Sequence, residues 1–237
     1  MPEHCFITGT DTDVGKTLVT AGVLSRLLSN GVDAVPMKPV QTGCSRRADG
    51  TLDNLDLDTC FRLTGLVPDA AEGELIAPYR FEPACSPHLA AEQAGEPIEF
   101  NRILRSAEEL MRRHQAVLVE GAGGVLVPIN RRQTMLDLMV ALQLPVILAS
   151  RPGLGTINHT LLSIRELRSA GLAVRGVVFC ETQAAERGMI ERDNWTTIEE
   201  LANVTILGRV PYLPELAAGA ITPERFAAAV AKTLPLN

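Results

Sequence analysis

The chain has 237 residues, of which 46% are hydrophobic and 21% are charged, a composition typical of one large α/β domain spanning residues 1–237. The formal net charge of −6 argues against nucleic acid and anionic membranes as partners, and no apolar run reaches transmembrane length. The five cysteines are scattered and odd in number, which favours reduced thiols in the cytoplasm over disulfides or a zinc site.

The first predicted strand, a short apolar run at Cys5–Ile7, leads into the segment T-G-T-D-T-D-V-G-K-T at residues 8–17. Apolar residues at helical spacing follow, so strand, glycine-ended loop, lysine, threonine and helix occur in the order of a P-loop. Gly15 would let backbone N–H groups approach a triphosphate, and Lys16 would reach its outer phosphates. The Thr17 hydroxyl would hold Mg²⁺ at the first turn of the helix.

Val32–Val40 is predicted to form the second strand, which would bring Lys38 to the carboxyl end of the sheet, where open parallel sheets bind ligands. A lysine that only protects an edge strand is the alternative. After a polar loop at residues 43–51, an acidic run begins a short helix that ends near Gly65. These acidic residues either complement the helix dipole or include one metal ligand, and the choice stays open. The candidates are Asp53, Asp56 and Asp58.

A later apolar run, Ala116–Val119, is typical of a strand buried on both faces of a parallel sheet. Glu120 follows it directly and precedes the glycine-rich residues 121–124. An acidic side chain at this place parallels the residue that orients Mg²⁺ or its water in P-loop enzymes. A charged turn residue exposed to water is the alternative.

The remaining elements alternate between helix and strand. The predicted helices are one beginning at Pro87, then Phe100–Arg113, Thr134–Leu142, Thr160–Ala170, Glu186–Leu201 and Pro223–Lys232, and the strands are Pro145–Ala149, Val174–Phe179 and Thr205–Val210, with Glu74–Phe81 extended. The loop Gly153–Asn158, which opens a helix, is either a second anion site or a plain turn. Six or seven apolar strands alternating with helices predict a single doubly wound, mainly parallel sheet with helices on both faces.

Several motifs together resemble the dethiobiotin synthetase family, whose fold is P-loop NTPase-like, over nearly the whole chain. They are residues 8–17, Lys38-Pro39-Val40, Ser86-Pro87-His88, Val119–Gly124, Leu144–Leu148 and Gly155–His159. Thr10, which stands where the general P-loop pattern has glycine, is normal for that family. The resemblance implies an ATP-dependent enzyme of biotin biosynthesis that joins 7,8-diaminononanoate and CO₂ through a carbamate and a carbamic-phosphoric anhydride. The second amine then closes the anhydride to the cyclic urea of dethiobiotin.

The resemblance also implies a role for particular residues. The catalytic residues would be Lys38, Lys16 and Thr12. Contacts to ATP would come from Asp13, Val14, Gly15, Lys16, Thr17, Leu18, Asp56, Glu120, Gly121, Ala122, Gly123, Cys180, Glu181, Pro211, Tyr212 and Leu213. Contacts to the diamine would come from Thr12, Lys38, Thr42, Gly153, Leu154, Gly155, Thr156 and Asn158. The Mg²⁺ ligands would be Thr17, Asp56 and Glu120. The enzyme would be a homodimer with the site at its interface, where the Gly153–Asn158 loop of the partner receives the substrate carboxylate.

One departure from the family concerns the base of the nucleotide. Cys180-Glu181 stands where relatives usually carry asparagine, and a thiol is a weaker hydrogen-bonding partner for adenine than an amide. We therefore hypothesise that the enzyme accepts other nucleoside triphosphates or reads the base through backbone groups.

Two rival functions share this type of fold. A ligase of the cobyrinate diamide-synthase type usually carries a further glutamine-hydrolysing domain, for which 237 residues leave no room. A ParA-like or MinD-like switch ATPase would have a lysine where this chain has Asp11, and a basic surface that the sequence lacks.

Overall fold

The structure is a computed structural model that describes residues 4–181 and 188–235. Within these residues the strands are β1 (Cys5–Gly9), β2 (Ala34–Met37), β3 (Val40–Thr42), β4 (Tyr79–Phe81), β5 (Ala116–Gly124), β6 (Val146–Ser150), β7 (Val174–Cys180) and β8 (Ile206–Val210). Six of them form a central sheet in the order β2-β5-β1-β6-β7-β8, and β3 pairs with β4 in a separate two-stranded sheet. All of these pairings are parallel.

Helices cover both faces of the central sheet, as the sequence predicts. They are α1 (Lys16–Ser29), α2 (Leu55–Thr64), α3 (Gly73–Ile76), α4 (Pro87–Ala94), α5 (Phe100–Arg113), α6 (Met135–Leu142), α7 (Thr156–Ser169), α8 (Met189–Ala202), α9 (Pro214–Ala217) and α10 (Pro223–Thr233), with a short 3-10 turn at Ala70–Glu72. None of the helices in the described part of the chain is both long and apolar enough to cross a bilayer.

The core is divided by the sheet into two faces. Neighbouring residues of a strand point to opposite sides, and in β1 Ile7 shares a core cluster with Leu24 of α1 and Phe226 of α10. Phe6 belongs to a second cluster, which includes Ile103 of α5. All of these side chains are fully buried. Burial on both faces explains why the strands read as continuous apolar runs in the sequence.

The predicted strand Val32–Val40 is wrong in its extent. The chain leaves the central sheet after Met37, and Val40 begins β3 of the small sheet. Pro39 explains the break because proline has no N–H to donate to the ladder. Lys38 instead donates its backbone N–H to the carbonyl of Ile76 at 2.8 Å. This break places the Lys38 side chain at the end of the sheet rather than within it.

The predicted extended segment Glu74–Phe81 is wrong in its first part, because residues 74–76 belong to α3 and only Tyr79–Phe81 forms a strand. Two helix starts also differ from prediction. α7 begins at Thr156, four residues earlier than predicted, because Gly155 takes a left-handed φ of 89° immediately before it. Thr156 and Asn158 therefore belong to the first helical turn rather than to a loop. α8 begins at Met189, and the first two residues predicted for that helix, 186 and 187, lie outside the described residues.

The strand order opens a crevice for a ligand at one end of the sheet. From β1 the chain crosses over β5 to form β2, whereas β6 lies on the opposite side of β1. The connections after β1 and after its neighbours therefore diverge, and a crevice opens at the carboxyl ends of these strands. The P-loop follows β1 at this end, and Lys38 follows β2.

Candidate active site

The loop after β1 wraps closely around the stem of a lysine. Lys16 is only 7% exposed, and its ammonium donates to the backbone carbonyl of Asp11 at 2.9 Å. Gly9 is required at the start because a Cβ there would lie 2.7 Å from a methyl of Val14. Gly15 has a φ of 91°, which favours glycine. Thr10 does not adopt a positive φ, so the position needs no glycine in this loop.

An ammonium group lies between two carboxylates beside the P-loop. Lys38 Nζ is 2.5 Å from Asp56 Oδ2 and 2.8 Å from Glu120 Oε1, and it also donates to the carbonyl of Gly121 at 3.2 Å. Lys38 is 3% exposed and Glu120 is 2% exposed. Three elements far apart in sequence thus converge on one buried charge cluster, which we call the carboxyl-end cluster and define as Lys16, Lys38, Asp56 and Glu120.

The structure distinguishes the three aspartates of the acidic run. Asp56, in the first turn of α2, is the one that contacts Lys38. Asp53 accepts a hydrogen bond from the backbone N–H of Ser45, and Asp58 pairs with exposed Arg47 at 2.6 Å. Only Asp56 of these three is therefore placed to act with Lys38.

Two threonines of α1 bond to Glu120 from one side. Thr17 Oγ1 donates to Glu120 Oε1 at 3.0 Å, and Thr20 Oγ1 lies 2.7 Å from Glu120 Oε2. Residues three apart share a face of a helix, so the hydroxyls stand one above the other against β5. Sequence reasoning identified Thr17 but missed Thr20. The spacing of the two threonines after the P-loop lysine was the available signal.

Burial and mutual attraction set the charge of the cluster. Burial, together with repulsion from Lys38, lowers the pKa of Lys16 to about 8. Burial would also lower the pKa of Lys38, but Glu120 and Asp56 more than offset it and raise that pKa above its ordinary value. Burial would raise the pKa of Asp56, yet the Lys38 ammonium holds it below its ordinary range. Lys38 therefore stays positively charged at neutral pH.

The oxygen atoms around Lys38 fit a magnesium ion. The Thr17 hydroxyl and the carboxylates of Asp56 and Glu120 are hard oxygen ligands, which Mg²⁺ prefers. Groups of three or more His, Cys, Asp or Glu side chains that could hold a metal do not occur in the described ranges. Mg²⁺ usually takes one or two carboxylates plus phosphate oxygens and water, so two carboxylates and a hydroxyl are sufficient here.

The glycine-rich end of β5 is shaped by close contacts. A Cβ on Gly121 would lie 3.0 Å from the ring of Phe6, and one on Gly123 would lie 2.6 Å from a methyl of Val127. The same Cβ on Gly123 would lie 3.5 Å from Thr12 Oγ1. Exposed Thr12 thus faces this run from the P-loop, where a ligand could contact both.

The other predicted contacts around the P-loop differ in exposure. Asp13 is exposed with a φ of 57°, and Val14 is fully buried. Leu18, Ala122 and Thr42 are partly buried. Thr42 ends β3, where it pairs with Phe81 of β4. The structure therefore leaves Asp13 and Thr42 accessible but gives Val14 a packing role, with only its backbone available to phosphate.

The loop before α7 presents backbone rather than side chains. Gly153 is partly buried, and Leu154 is 96% exposed. The buried hydroxyl of Thr156 is 2.9 Å from that of Ser150, so its side chain is engaged within its own chain. Asn158 lies on the surface of α7 and lines a groove of about 610 Å³ between α7 and α8. The N–H of Thr156 donates to the carbonyl of Gly153 at 3.2 Å, so any anion at this loop would be bound mainly by the other N–H groups at the start of α7.

The predicted base-binding segments lie side by side, but one side chain points away. Cys180 is fully buried, and burial followed by the nearby Glu181 raises the pKa of its thiol to about 12. Glu181 accepts from Arg209 Nη1 at 2.6 Å and from the backbone N–H of Tyr212 at 3.3 Å. Partly buried Pro211 and buried Leu213 flank Tyr212. The thiol of Cys180 therefore cannot contact the base, and only its backbone could.

Comparisons with known proteins show relatives that are similar over most of the chain. A family model described as "AAA domain" matches residues 3–220. A protein of Halalkalibacterium halodurans named ATP-dependent dethiobiotin synthetase BioD is 38% identical over 221 residues, covering 89% of this chain and 85% of the relative. Proteins of the same name from Anaeromyxobacter sp. (strain Fw109-5) and Thermodesulfovibrio yellowstonii are 44% and 38% identical, covering 75% and 89% of this chain and 77% and 89% of the relatives.

Solved structures share the fold at much lower identity. The MinC:MinD cell division protein complex of Aquifex aeolicus aligns with a TM-score of 0.60 at 15% identity, covering 97% of this chain and 95% of that chain. A ParA family ATPase from Chlorobium tepidum TLS aligns with a TM-score of 0.59 at 9% identity, covering 97% and 96%. At these identities the likeness shows the P-loop NTPase fold alone.

Proposed function

The chain belongs to the ATP-dependent dethiobiotin synthetase family, and from this membership we propose that it converts 7,8-diaminononanoate, CO₂ and MgATP into dethiobiotin, ADP and phosphate. The observation that carries the proposal is the convergence of Lys38, Asp56 and Glu120 beside the P-loop lysine Lys16. Two anionic reactants must meet in this reaction. A buried site with two ammonium groups and a set of magnesium ligands meets that requirement.

The first step is the capture of CO₂ by one amine of the substrate. The amine nitrogen forms a bond to carbon and loses a proton, which leaves a negatively charged carbamate. Exposed Thr12 and partly buried Thr42 hold the diamine head through their hydroxyls, which can both donate and accept. The ammonium of Lys38 binds the new carbamate oxygens.

The second step is phosphoryl transfer. A carbamate oxygen attacks the γ-phosphorus of ATP, the bond from that phosphorus to the ADP oxygen breaks, and a carbamic-phosphoric anhydride forms. Lys16 and Lys38 bind the phosphoryl oxygens from two sides, which offsets the repulsion between the two anions. Held by Thr17, Asp56 and Glu120, Mg²⁺ would supply further positive charge at the phosphate oxygens.

The third step closes the ring. The second amine attacks the anhydride carbon and loses a proton, and phosphate leaves with the oxygen that joined carbon to phosphorus. The product is a cyclic urea that keeps the other oxygen of CO₂. Lys38 stabilises the leaving phosphate, because its pKa is raised and its ammonium stays charged.

The site is completed by a second copy of this chain. The N–H groups at the start of α7 in the partner subunit bind the distant carboxylate of the substrate across a homodimer interface. Exposed Leu154 and 58% exposed Leu162 support an apolar contact at this face. Sedimentation of the purified protein tests the assembly: a dimer mass is expected, and a monomer with full activity would remove this part of the proposal.

The cytoplasm is the proposed location. All five cysteines are free thiols in the structure, which suits a reducing compartment.

A labelled product tests the function. The protein is incubated with 7,8-diaminononanoate, carbon-13-labelled bicarbonate and MgATP, and the products are analysed by mass spectrometry. We expect labelled dethiobiotin and one phosphate released for each molecule formed. ATP hydrolysis that ignores the diamine but responds to DNA or lipid vesicles would contradict the proposal and favour a switch ATPase.

The fate of oxygen tests the chemical route. With freshly mixed oxygen-18-labelled bicarbonate, the steps above place one labelled oxygen in the released phosphate and one in the urea carbonyl. Unlabelled phosphate alongside dethiobiotin would show that the carbamate oxygen does not attack phosphorus. The function would then stand without this mechanism.

A further inference from the structure

We propose that Thr20 is a positioning residue that fixes the rotation of the Glu120 carboxylate. Thr20 Oγ1 lies 2.7 Å from Glu120 Oε2, and the Thr20 side chain is fully buried. The inference rests on the proposed role of Glu120 at the nucleotide site. Thr20 touches neither nucleotide nor substrate in this arrangement and acts through Glu120.

The two oxygens of Glu120 have different partners. Oε1 accepts from Thr17 Oγ1 at 3.0 Å and from Lys38 Nζ at 2.8 Å, so this oxygen faces the candidate metal site. Oε2 faces Thr20 on α1. Because the carboxylate is planar, holding Oε2 also determines where Oε1 points.

Glu120 needs such a second anchor. The last torsion of a glutamate side chain is broad and only weakly confines the carboxylate. When nucleotide binds, Lys38 is expected to turn toward phosphate oxygens, and Oε1 then loses one of its present donors. The bond from Thr20 lies on the far side of the carboxylate and can persist through that change.

The hydroxyl of Thr20 has a second acceptor within reach. It lies 3.0 Å from the backbone carbonyl of Lys16, four residues earlier in α1, and threonines inside helices often make this bond. A hydroxyl has one proton, and both partners can only accept. Glu120 Oε2 is nearer and charged, and hydrogen bonds to ionised groups are about twice as strong as neutral ones. The proton therefore belongs mainly to the bond with Glu120.

Binding of ADP at graded Mg²⁺ concentrations, measured by calorimetry, tests the proposal. Thr20→Val keeps the shape of the side chain and removes the hydroxyl, and we expect it to raise the Mg²⁺ concentration for half-maximal ADP binding about tenfold, as loss of a ligand-orienting partner does elsewhere. Thr20→Ser keeps the hydroxyl and should stay close to wild type. Wild-type Mg²⁺ dependence in Thr20→Val, or equal losses in both variants, would overturn the proposal.

A matched control separates positioning from helix stability. Thr233 in α10 donates to the carbonyl of Ala229, four residues earlier, at 3.1 Å, so Thr233→Val removes a helical bond of the same kind far from Glu120. Its Mg²⁺ dependence should equal that of wild type. A shift as large as that of Thr20→Val would assign the effect to general destabilisation and overturn the proposal.

If the Thr20→Val variant folds poorly, a double-mutant cycle tests the proposal instead. Thr20→Ala is then combined with Glu120→Gln, and the same calorimetric titration is repeated. If Thr20 acts through Glu120, Thr20→Ala should add little to the loss caused by Glu120→Gln, whereas fully additive losses would overturn the proposal. The titration uses no diamine, so a wild-type protein that fails to make dethiobiotin would refute the proposed function and leave the Thr20 result to stand by itself.

Discussion

Two clusters of charge lie at opposite ends of the same two strands, β2 and β5. At the carboxyl end, Lys38 stands between Asp56 and Glu120. At the amino end, which we call the amino-end cluster, His114 stands between two carboxylates: Nδ1 is 3.0 Å from Asp33 and Nε2 is 3.0 Å from Glu72. In each cluster a cationic side chain lies between two acids, yet the surroundings of the two clusters differ.

The amino-end cluster joins elements of the fold to one another. Asp33 precedes β2, His114 precedes β5, and Glu72 lies in the 3-10 turn before α3. Arg113 adds a further bond to Glu72 at 3.3 Å. Because both ring nitrogens of His114 face acceptor oxygens, the ring bonds to both only when it carries both protons. This cluster is built to fasten segments together.

The carboxyl-end cluster adjoins the P-loop and a glycine-rich strand end. Its carboxylates share their hydrogen bonds with hydroxyls and with a lysine that could turn toward a ligand. An ion cluster thus becomes a candidate site through its position at the carboxyl ends of diverging strands. Substitutions in the carboxyl-end cluster should therefore lower the rate of catalysis. Substitutions in the amino-end cluster should lower the stability of the fold.

Lys38→Gln should produce the largest effect. Loss of an ammonium that stabilises the charge of phosphoryl transfer should lower kcat by about a hundredfold to a thousandfold, while ADP binding is retained. Steady-state assays and calorimetry measure the two quantities. Lys232→Gln changes an exposed lysine of α10 and should leave both unchanged. Near-normal kcat in Lys38→Gln would remove this residue from the mechanism.

Asp56→Asn should come next. The substitution replaces the charged carboxylate of a proposed Mg²⁺ ligand with a neutral amide, so the Mg²⁺ concentration for half-maximal activity should rise about tenfold or more, at least the loss seen for partners outside the ligand shell. Asp58→Asn is the matched control because Asp58 lies in the same helix turn and its carboxylate pairs with exposed Arg47. Equal shifts in the two variants would contradict the choice of Asp56.

His114→Gln tests the amino-end cluster. The change leaves buried Glu72 with fewer partners, and loss of hydrogen bonds between charged groups should lower the free energy of unfolding by about 1.5–3 kcal/mol. The value of kcat should stay at the wild-type level. Arg112→Gln changes an exposed arginine in the last turn of α5, just before His114. It should lower the free energy of unfolding by less than about 0.5 kcal/mol. Urea titrations and steady-state assays measure these effects. A large fall in kcat would show that the amino-end cluster also serves catalysis, which contradicts its structural role.

The stability lost in His114→Gln should also depend on pH. Burial would lower the pKa of His114, but hydrogen bonds to Asp33 and Glu72 outweigh it and raise that pKa. A group with a raised folded-state pKa stabilises the protein fully below its unfolded pKa of about 6.5, and this contribution disappears as pH rises through the folded pKa. The stability difference between wild type and His114→Gln should therefore shrink as pH increases across that window. A difference that grows with pH would contradict the ion pairing.

Base selectivity should show the smallest effect. Because the Cys180 thiol is buried and Glu181 bonds to Arg209 and Tyr212, backbone groups would read the base. The kcat/KM values for ATP, CTP and GTP should differ by less than about tenfold, whereas sites with dedicated polar partners discriminate by about 10⁴-fold to 10⁵-fold. Strict preference for ATP would contradict this expectation.

Local patterns predicted much of the fold and part of the site. The strand β1 and the first half of β5 read clearly from apolar runs, because both are buried on two faces. The sequence did not predict that β5 continues through Glu120 to Gly124. The choice of Asp56 over Asp53 and Asp58 rests on the family resemblance, since three acidic residues at and just before the start of one helix look alike in sequence.

Other features depend on contacts between distant segments. Thr20 was missed because its bond to Glu120 joins residues 100 positions apart. The spacing in α1 indicates that Thr17 and Thr20 share a face of the helix, but it does not indicate that Glu120 lies against that face. The amino-end cluster was missed for the same reason, since Asp33, Glu72 and His114 meet only after the sheet has formed. The missing N–H of Pro39 was a signal for the end of β2, but the apolar run on both sides of it favoured one longer strand.

A crystal structure with a non-hydrolysable MgATP analogue and 7,8-diaminononanoate tests the central claim most directly. We expect the ammonium groups of Lys16 and Lys38 on oxygens of the γ-phosphate, with the amines of the substrate beside Thr12. If Lys38 instead remains between Asp56 and Glu120 while the diamine binds elsewhere, the carboxyl-end cluster is not the place where the two reactants meet.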